Sequence, residues 1–335
     1  ATAYMTADKH MLDDYNPYVF KTEDYGKTWE NITGNLPPMA HVHVFRQDPK
    51  NPDVFYVGTE IGIFASVSGG EQWFPLRMNL PRAVAVHDIR IHPLENDLIL
   101  GTHGRSIWML DDVGFLQQMS PEVVNSDVHL FSLRKAWRFT PWNASGSADR
   151  GGHGQFWGPN PDYGALITYF LKNEVDEDSG VMIEIADAQG KVIRTMKGTK
   201  DAGVNRVAWD LRHNGPASLE RDVRPSWDTS GRPGGPQVVP GTYTVRLTVG
   251  DKALTENVEV ALDPALEFSR ADLESQLTAS LRVRDLVSTL HVAKQTLDGL
   301  EQQTENVQET IRLSLADVPE EVTPALDGLL DKINK

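Results

Sequence analysis

Short apolar runs in an alternating pattern dominate the chain before about residue 265. Near the end of this part, apolar side chains alternate with polar ones at Tyr243, Val245, Leu247 and Val249. Alternation with a period of two is typical of a half-buried β-strand. Similar runs, separated by glycine-containing turns, occur along the preceding sequence. The pattern therefore predicts a mainly β protein up to this point.

The periodicity changes after Ser269. From Leu273 to Leu300 leucines recur mostly at spacings of three to five residues, which predicts an amphipathic helix. Asp272 stands three residues after Ser269, as in a capping box, so we expect the helix to begin there. Two shorter helices are expected around residues 307–315 and after Pro319. We assign residues 265–335 to an α-helical tail.

A pattern repeats in the N-terminal part of the chain at an offset of 44 residues. Trp29 and Trp73 show this offset, as do His43 and His87. A period of about 40–50 residues containing several short strands is typical of a β-propeller blade. Residues 1–119 are therefore predicted to form about two and a half blades. The insertion "DKHMLDDYNP", residues 8–17, is expected to form a hairpin tip at the rim of its blade.

The octapeptide "TEDYGKTW", residues 22–29, recurs as "SVSGGEQW", residues 66–73. Asp24 in a turn can accept hydrogen bonds from backbone N–H groups of its own loop, and Gly26 can supply a positive φ angle. The second copy has Ser68 in place of the aspartate. We therefore interpret Asp24 as a structural residue and not as a catalytic acid. The predicted structural positions are Thr22, Asp24, Gly26, Thr28, Trp29, Ser66, Gly70 and Trp73, with Trp29 expected to be buried between blades.

"TEDYGKTW" resembles the Asp-box of the bacterial neuraminidase repeat, which occurs in sialidases and in sortilin-like propellers. "THGRSIWMLDD", residues 102–112, resembles the last propeller strand of large secreted bacterial proteins of this class, many of which are labelled glycosyl hydrolases. The resemblance implies an extracytoplasmic protein, periplasmic or secreted. It also implies that the Asp-box turns lie on the outside of the propeller, away from its axis.

Two and a half blades do not close a ring, since propellers have about four to eight blades. An open stack would leave an unpaired sheet edge, which is an aggregation hazard. We therefore expect this chain to be the C-terminal part of a larger propeller. Its predicted partners are the remaining blades, supplied by the same precursor or by another chain.

Three further segments follow the predicted blades. Residues 120–162 are assigned to a connector, because residues 141–161 are rich in glycine, proline and serine. Residues 163–264 contain several short strands and predict an immunoglobulin-like β-sandwich. "GVNRVAWDLR" and "PGTYTVRLTV" resemble such modules of secreted bacterial proteins. Residues 214–240, which contain Trp227, form a long loop that either binds a ligand or covers the propeller flank.

Composition excludes several classes of function. The formal net charge of −15 argues against a nucleic-acid surface, which needs clustered lysine and arginine. The sequence has no apolar run of the ~18–20 residues that a membrane helix needs, so we predict no membrane span. The chain contains no cysteine, which rules out disulfides, thiolate metal sites and cysteine nucleophiles.

Histidines recur beside the predicted strands. His41 and His43 stand at alternate positions, which can suit metal ligation. However, His43 and His87 occupy the same repeat position, so blade geometry explains the recurrence, and we predict no metal and no cofactor. If the axial funnel binds a polar ligand, the candidate residues are His43, His87, Asp88, His103 and Arg105.

The sequence contains no recognisable pair of glycosidase carboxylates, and it assigns no catalytic residue. We therefore expect a recognition or assembly module that binds protein or glycan. The alternative is a glycoside hydrolase of polysaccharides whose catalytic acids lie mainly in other blades. Two inward-facing acids and an aromatic-lined groove in those blades would favour the hydrolase.

Overall fold

The computed structural model describes residues 1–77, 80–81, 83–140, 161–176, 180–217, 234–313 and 319–333. The protein is mainly β, with five sheets followed by helices at the C-terminal end of the described chain. Trp142, Phe156 and Trp157 of the predicted connector lie outside the described residues, as does Trp227 of the long loop.

The first three sheets are antiparallel and follow one another along the chain. The first sheet consists of β1 (Ala3–Thr6), β2 (Val19–Thr22) and β3 (Glu30–Asn31). The second consists of β4 (Val42–Gln47), β5 (Phe55–Thr59), β6 (Gly62–Ser66) and β7 (Phe74–Pro75). The third consists of β8 (Val86–Ile91), β9 (Leu98–Thr102) and β10 (Ile107–Leu110). Each strand pairs with its neighbour in sequence.

The three sheets use the same pairing register. Phe55 of β5 pairs with Ser66, and Ala3 of β1 pairs with Thr22 at the equivalent site of the Asp-box turn. The second and third sheets also share the position of an irregularity in their first strands, β4 and β8. The sequence repeat is therefore a structural repeat, and equivalent positions can be compared directly.

The second sheet is buried on both faces. Phe55 and Val57 of β5 belong to a hydrophobic cluster shared with the first sheet, whereas Tyr56 between them belongs to a cluster shared with the third sheet. Every residue of β5 is buried as a result. In contrast, β1 and β10 alternate between exposed and partly buried positions, because each has a described sheet on one side only.

Two short helices connect the third sheet to the rest of the chain. They are α1 (Gly114–Gln117) and α2 (Pro121–Asn125). Ser120 caps α2 by accepting a hydrogen bond from the Val123 backbone N–H, and Pro121 occupies its first position. Leu116 of α1 packs into the cluster between the second and third sheets.

The fourth and fifth sheets enclose a separate core around Trp209 and Tyr169. The fourth sheet has the order β11-β13-β16 and the fifth the order β12-β18-β17-β14-β15. Their strands are β11 (Val128–Leu130), β12 (Ala136–Arg138), β13 (Ala165–Leu171), β14 (Val181–Ala186), β15 (Val192–Lys197), β16 (Gly203–Trp209), β17 (Gly241–Val249) and β18 (Lys252–Leu262). All pairs are antiparallel except β12 with β18.

Residues 120–140, which the sequence predicts as part of a connector, instead belong to the folded sheets. They contain α2, and they supply β11 and β12 to the fourth and fifth sheets. Both strands are only three residues long, so they have too few positions for a recognisable alternation. These residues form strands because their backbones pair with the edge of β13 in the fourth sheet and the edge of β18 in the fifth.

Arg206 of β16 connects the fourth sheet to the segment that follows the third sheet. Its guanidinium donates hydrogen bonds to the backbone carbonyls of Asp111 (2.5 Å) and Asp112 (2.6 Å), which follow the third sheet. It also donates to the Thr168 hydroxyl at 3.0 Å. Burial lowers the pKa of Arg206, and the Asp112 and Asp111 carboxylates oppose that shift. The contact fixes the fourth sheet against the end of the third.

The helical region consists of α3 (Arg270–Leu313) and α4 (Val322–Ile333). The helix begins where expected, and Ser269 caps it. Ser269 Oγ accepts a hydrogen bond from the Asp272 N–H at 3.1 Å and donates one to Asp272 Oδ2 at 2.6 Å. The helix predicted around residues 307–315 is instead the end of α3, which runs without a break. Several leucines of the apolar stripe, including Leu286 and Leu290, are exposed. None of the described helices has the length and apolar character needed to cross a bilayer.

Candidate functional site

His43 and His87 each occupy a β-bulge in the first strand of their sheet. Val42 pairs with Thr59 and Val44 with Gly58, so His43 is the additional residue in β4. The same irregularity between Val86 and Asp88 makes His87 the additional residue in β8. A bulge redirects a side chain relative to the regular pleat. The two imidazoles stack on each other as a result, with ring centroids 4.1 Å apart and an interplanar angle of 28°.

This pair lies at the centre of a larger arrangement of imidazoles. His41 contacts His43 edge-on with a centroid distance of 4.8 Å, and His10 stacks on His41 at 5.2 Å. At the other end, His103 stacks on His87 at 5.3 Å. We call these five residues the histidine row. The row crosses all three N-terminal sheets.

Two carboxylates accompany the histidine row. Glu60 Oε2 lies 2.9 Å from His43 Nε2 and 3.7 Å from His41 Nε2. Asp8 Oδ1 lies 2.7 Å from His10 Nδ1 and also accepts the His10 backbone N–H at 3.0 Å. The row therefore combines imidazole nitrogens with carboxylate oxygens at one end of the sheets.

Asp8, Glu60 and His103 are equivalent positions of the repeat. Glu60 and His103 directly follow β5 and β9, the strands that come after the bulged strands β4 and β8. Asp8 stands two residues after β1, which aligns with β5. The backbone confirms the equivalence for two of them, because the Glu60 N–H donates to the His41 carbonyl (3.1 Å) and the His103 N–H donates to the Ala85 carbonyl (2.9 Å). The three units therefore place different side chains on the same backbone site.

The electrostatic surroundings keep His87 neutral. Partial desolvation of its ring lowers the pKa of His87, and the neighbouring imidazoles of His43 and His103 lower it further. Glu60 acts in the opposite direction but does not outweigh them. A neutral imidazole has one nitrogen that donates and one that accepts, so His87 can offer both to a polar ligand at neutral pH.

The structure brings three of the five candidate ligand residues together, namely His43, His87 and His103. Asp88 follows His87 but is held by cations, since its carboxylate lies 2.8 Å from Arg46 Nη2 and 3.2 Å from Arg90 Nε. The side chain of Arg105 is exposed on the turn between β9 and β10. The histidine row therefore contains three of the five candidate residues, and Asp88 and Arg105 lie outside it.

Sequence reasoning missed Asp8, His10 and Glu60. Glu60 could have been found, since the single-residue slip in the repeat aligns it with His103. His10 belongs to the insertion that we expected at the rim. Instead, a bridge between Lys9 and Asp14 closes the insertion, and His10 lies against His41. The position of His10 depends on this tertiary contact, which no local sequence pattern reveals.

The Asp-box turn is separate from this site and has an internal hydrogen-bond network. Asp24 Oδ1 accepts the Thr28 N–H at 2.9 Å, and its Oδ2 accepts the Thr28 hydroxyl at 2.7 Å. These bonds lower the pKa of Asp24 to about 2, with the Thr28 backbone N–H as the largest cause. In the second copy, Ser68 Oγ accepts the Gln72 N–H at 3.1 Å. The hydroxyl thus replaces one of the aspartate's bonds.

The two Asp-box tryptophans have different surroundings. Trp73 is buried, and its Nε1 donates to the Ile32 carbonyl of the preceding unit at 3.1 Å. Asn35 of that unit also exchanges two hydrogen bonds with the Trp73 backbone. Trp29, which we expected to be buried, is 41% exposed. Trp73 is buried because the first sheet packs against it. In the described part of the chain, no sheet packs against Trp29 in the same way.

No family model matches the sequence, and no curated protein matches it. Among solved structures, the extracellular domains of two B. thetaiotaomicron proteins, described as a one-component and a hybrid two-component system, are each 9% identical over 73% of this chain, with TM-scores of 0.23 and 0.25. An E. coli alpha-2-macroglobulin is 10% identical over 73%, with a TM-score of 0.21. The chain spans only 28%, 30% and 15% of these structures. Scores this low establish no common fold.

Proposed function

We propose that the protein is a recognition or assembly module of an extracytoplasmic, sortilin-like Asp-box β-propeller. In this proposal the first three sheets are successive blades, and the fourth and fifth sheets form an immunoglobulin-like sandwich. The ligand is a polar molecule, either a glycan or an extended segment of protein. It binds along the histidine row.

The observation that carries this proposal is the continuity of the row across three sheets. His43 and His87 occupy equivalent bulge positions, and the position that holds His103 in the third unit holds Glu60 in the second and Asp8 in the first. Rigid repeats that present variable side chains at one end are a common way to build a binding surface. Imidazoles also suit polar ligands, because each ring provides hydrogen-bonding nitrogens and a flat face.

The surroundings of Trp29 support a further blade as a partner. Trp73 is covered by Ile32 of the preceding unit, and Trp29 occupies the equivalent position one unit earlier. A neighbouring blade, supplied by the same precursor or by another chain, would bury Trp29 in the same way. The exposure of Met5 on β1, at 44%, agrees with a missing neighbour on this side.

The proposal can be tested by measuring binding of the purified protein to an array of neutral and acidic oligosaccharides and to a peptide library. Alanine at His87 and at His103, two exposed members of the row, should weaken binding of the selected ligand at least tenfold without changing the thermal unfolding curve. The matched control is His129→Ala, because His129 lies on β11, in another sheet. If the variants at His87 and His103 bind as tightly as the unmodified protein, the histidine row is not the ligand site.

A further inference from the structure

We propose that His41, His43 and Glu60 form a binding site for a divalent transition-metal ion, and that zinc fits this ligand set best. The sequence predicts no metal, because the 44-residue repeat explains why both position 43 and position 87 hold a histidine. The repeat accounts for His43 but not for His41 or Glu60, whose equivalents are Ala85 and His103. Of the two units that contain all three positions, the second alone combines two histidines and a carboxylate there.

The donor atoms are already close together. One nitrogen from each imidazole and one Glu60 oxygen all lie within 4.8 Å of one another. Glu60 Oε2 is 2.9 Å from His43 Nε2 and 3.7 Å from His41 Nε2. Donors ~2.1 Å from one tetrahedral zinc ion are about 3.4 Å apart, so small side-chain rotations suffice to close the site.

His41 is a buried histidine whose two ring nitrogens face different groups. The residue is only 6% exposed, and its Nε2 is the nitrogen that lies near Glu60. Its Nδ1, which has no hydrogen-bond partner among the described residues, is not the atom that would ligate this ion. His41 also forms a second close group with Asp8 and His10, whose donor atoms lie within 4.8 Å of each other and of His41. The chain thus surrounds His41 with metal-ligating atoms on two sides.

The ligand set determines the class of ion. Two imidazoles and one carboxylate suit zinc, and similar sets bind cobalt, nickel and copper, whereas calcium and magnesium prefer oxygen ligands. Three protein ligands leave one position of a tetrahedral ion open. A water molecule or an oxygen atom of a bound ligand can occupy that position. Metal binding does not depend on the proposed recognition function, since it is measured without any other ligand.

The site is also supported by neighbouring residues. His87 stacks on His43, and His10 stacks on His41, so both ligating rings have restricted orientations. Asp8 holds His10 in place through two hydrogen bonds. Interactions of this kind outside the ligand set orient metal ligands and raise affinity. Side chains from all three N-terminal sheets therefore contribute to one site.

The experiment is a titration of zinc into the purified, chelator-treated protein by isothermal calorimetry, with metal content checked by mass spectrometry. We expect one high-affinity equivalent. His41→Ala, His43→Ala and Glu60→Gln should each weaken binding at least tenfold. The control variants are His129→Ala and Glu71→Gln, which remove a histidine and an exposed acid away from the site. Both should bind zinc like the unmodified protein.

Cobalt substitution gives a second readout. The absorption bands of bound Co²⁺ should indicate four-coordinate geometry and should disappear in Glu60→Gln. Glu60 is half-exposed, so this variant is expected to fold even if His41→Ala does not. The proposal is overturned if the unmodified protein binds no stoichiometric zinc or cobalt, or if Glu60→Gln and His43→Ala retain full affinity.

Discussion

His43 and His87 stack face to face at a centroid distance of 4.1 Å, although they belong to different sheets and are 44 residues apart. Each is the additional residue of a bulge at the same position of its sheet. A regular pleat would not direct both rings in this way. The repeat therefore creates the contact by placing one backbone irregularity twice in adjacent strands.

His87 should titrate below the ordinary imidazole value of about 6.5. Partial desolvation lowers its pKa, followed by the effects of His43 and His103. The folded protein then binds fewer protons than the unfolded chain on the acid side of about pH 6.5, so His87 destabilises the fold as the pH is lowered through that range. Above pH ~6.5 the histidine is neutral in both states and contributes no pH dependence.

Nuclear magnetic resonance titration of the imidazole signals, assigned with His87→Gln, measures this pKa directly. Urea unfolding at pH 7.5, 6.5 and 5.5 should show a smaller loss of stability on acidification for His87→Gln than for the unmodified protein. A His87 pKa at or above 6.5 would contradict the structural explanation.

Gly58 and Gly101 are equivalent positions that should respond differently to substitution. A Cβ atom on Gly58 would lie 2.4 Å from the Val86 carbonyl oxygen of the adjacent sheet, whereas one on Gly101 would lie 3.6 Å from its nearest neighbour, the Asp88 side chain. Gly58→Ala should therefore destabilise the protein by about 1–3 kcal/mol, which is typical of overpacking. Gly101→Ala should be nearly neutral. Chemical unfolding of both variants tests the difference, and equal effects would show that β5 and β8 are not in close contact at this position.

Trp73→Ala should cost about 3–5 kcal/mol of unfolding free energy, as is typical for removal of a buried aromatic side chain. Trp73 packs against Phe55 and donates a hydrogen bond to the Ile32 carbonyl. Trp29→Ala is the matched control, and it should have a much smaller effect because the side chain is 41% exposed. The measurement is urea unfolding followed by circular dichroism. If the chain is assembled with the proposed preceding blade, the cost of Trp29→Ala should rise towards that of Trp73→Ala.

Asp24→Ala should lower the thermal stability, whereas Asp24→Ser should retain part of it. The serine at the equivalent position, Ser68, shows that a hydroxyl can accept the backbone N–H four residues later. The pKa of Asp24 is lowered to about 2, mainly by the Thr28 N–H. The carboxylate therefore stabilises the fold above its ordinary pKa, and this contribution is lost as the pH falls towards 2.

Thermal unfolding at pH 7 and at pH 2.5 measures how much the ionised Asp24 carboxylate contributes to stability. The difference between Asp24→Ala and the unmodified protein should be largest at pH 7. Equal stability of Asp24→Ala and Asp24→Ser at pH 7 would mean that the hydroxyl does not replace the carboxylate in this turn.

Sequence periodicity was sufficient for features whose interactions are local. The Asp24 turn closes within five residues, from Asp24 to Thr28, and the cap of α3 spans the four residues from Ser269 to Asp272. The 44-residue offset also indicated which residues are equivalent, such as His43 and His87. These conclusions could be reached without coordinates, because their partners are neighbours in the chain or copies of one pattern.

Only some residues of the histidine row could be predicted from the sequence. His43, His87 and His103 could be selected from the repeat, but their contacts could not, since a bulge depends on the partner strand as well as on its own residues. His10 joined the site because its insertion folds back and places the ring against His41. The alternation of His41 and His43 in the sequence was therefore not sufficient to predict metal ligation by His41.

The sequence by itself determined many of the strand segments, the repeat, the Asp24 turn and the start of α3, because short-range geometry and solvation decide these features. Only the tertiary structure decided that Trp73 is buried while Trp29 is exposed, and that Glu60 meets two imidazoles. Equivalent motifs acquire different environments when their neighbours differ. The burial of a residue and the geometry of a ligand set depend on the residues that pack against them. Those residues come from distant parts of the chain, so no local sequence pattern specifies them.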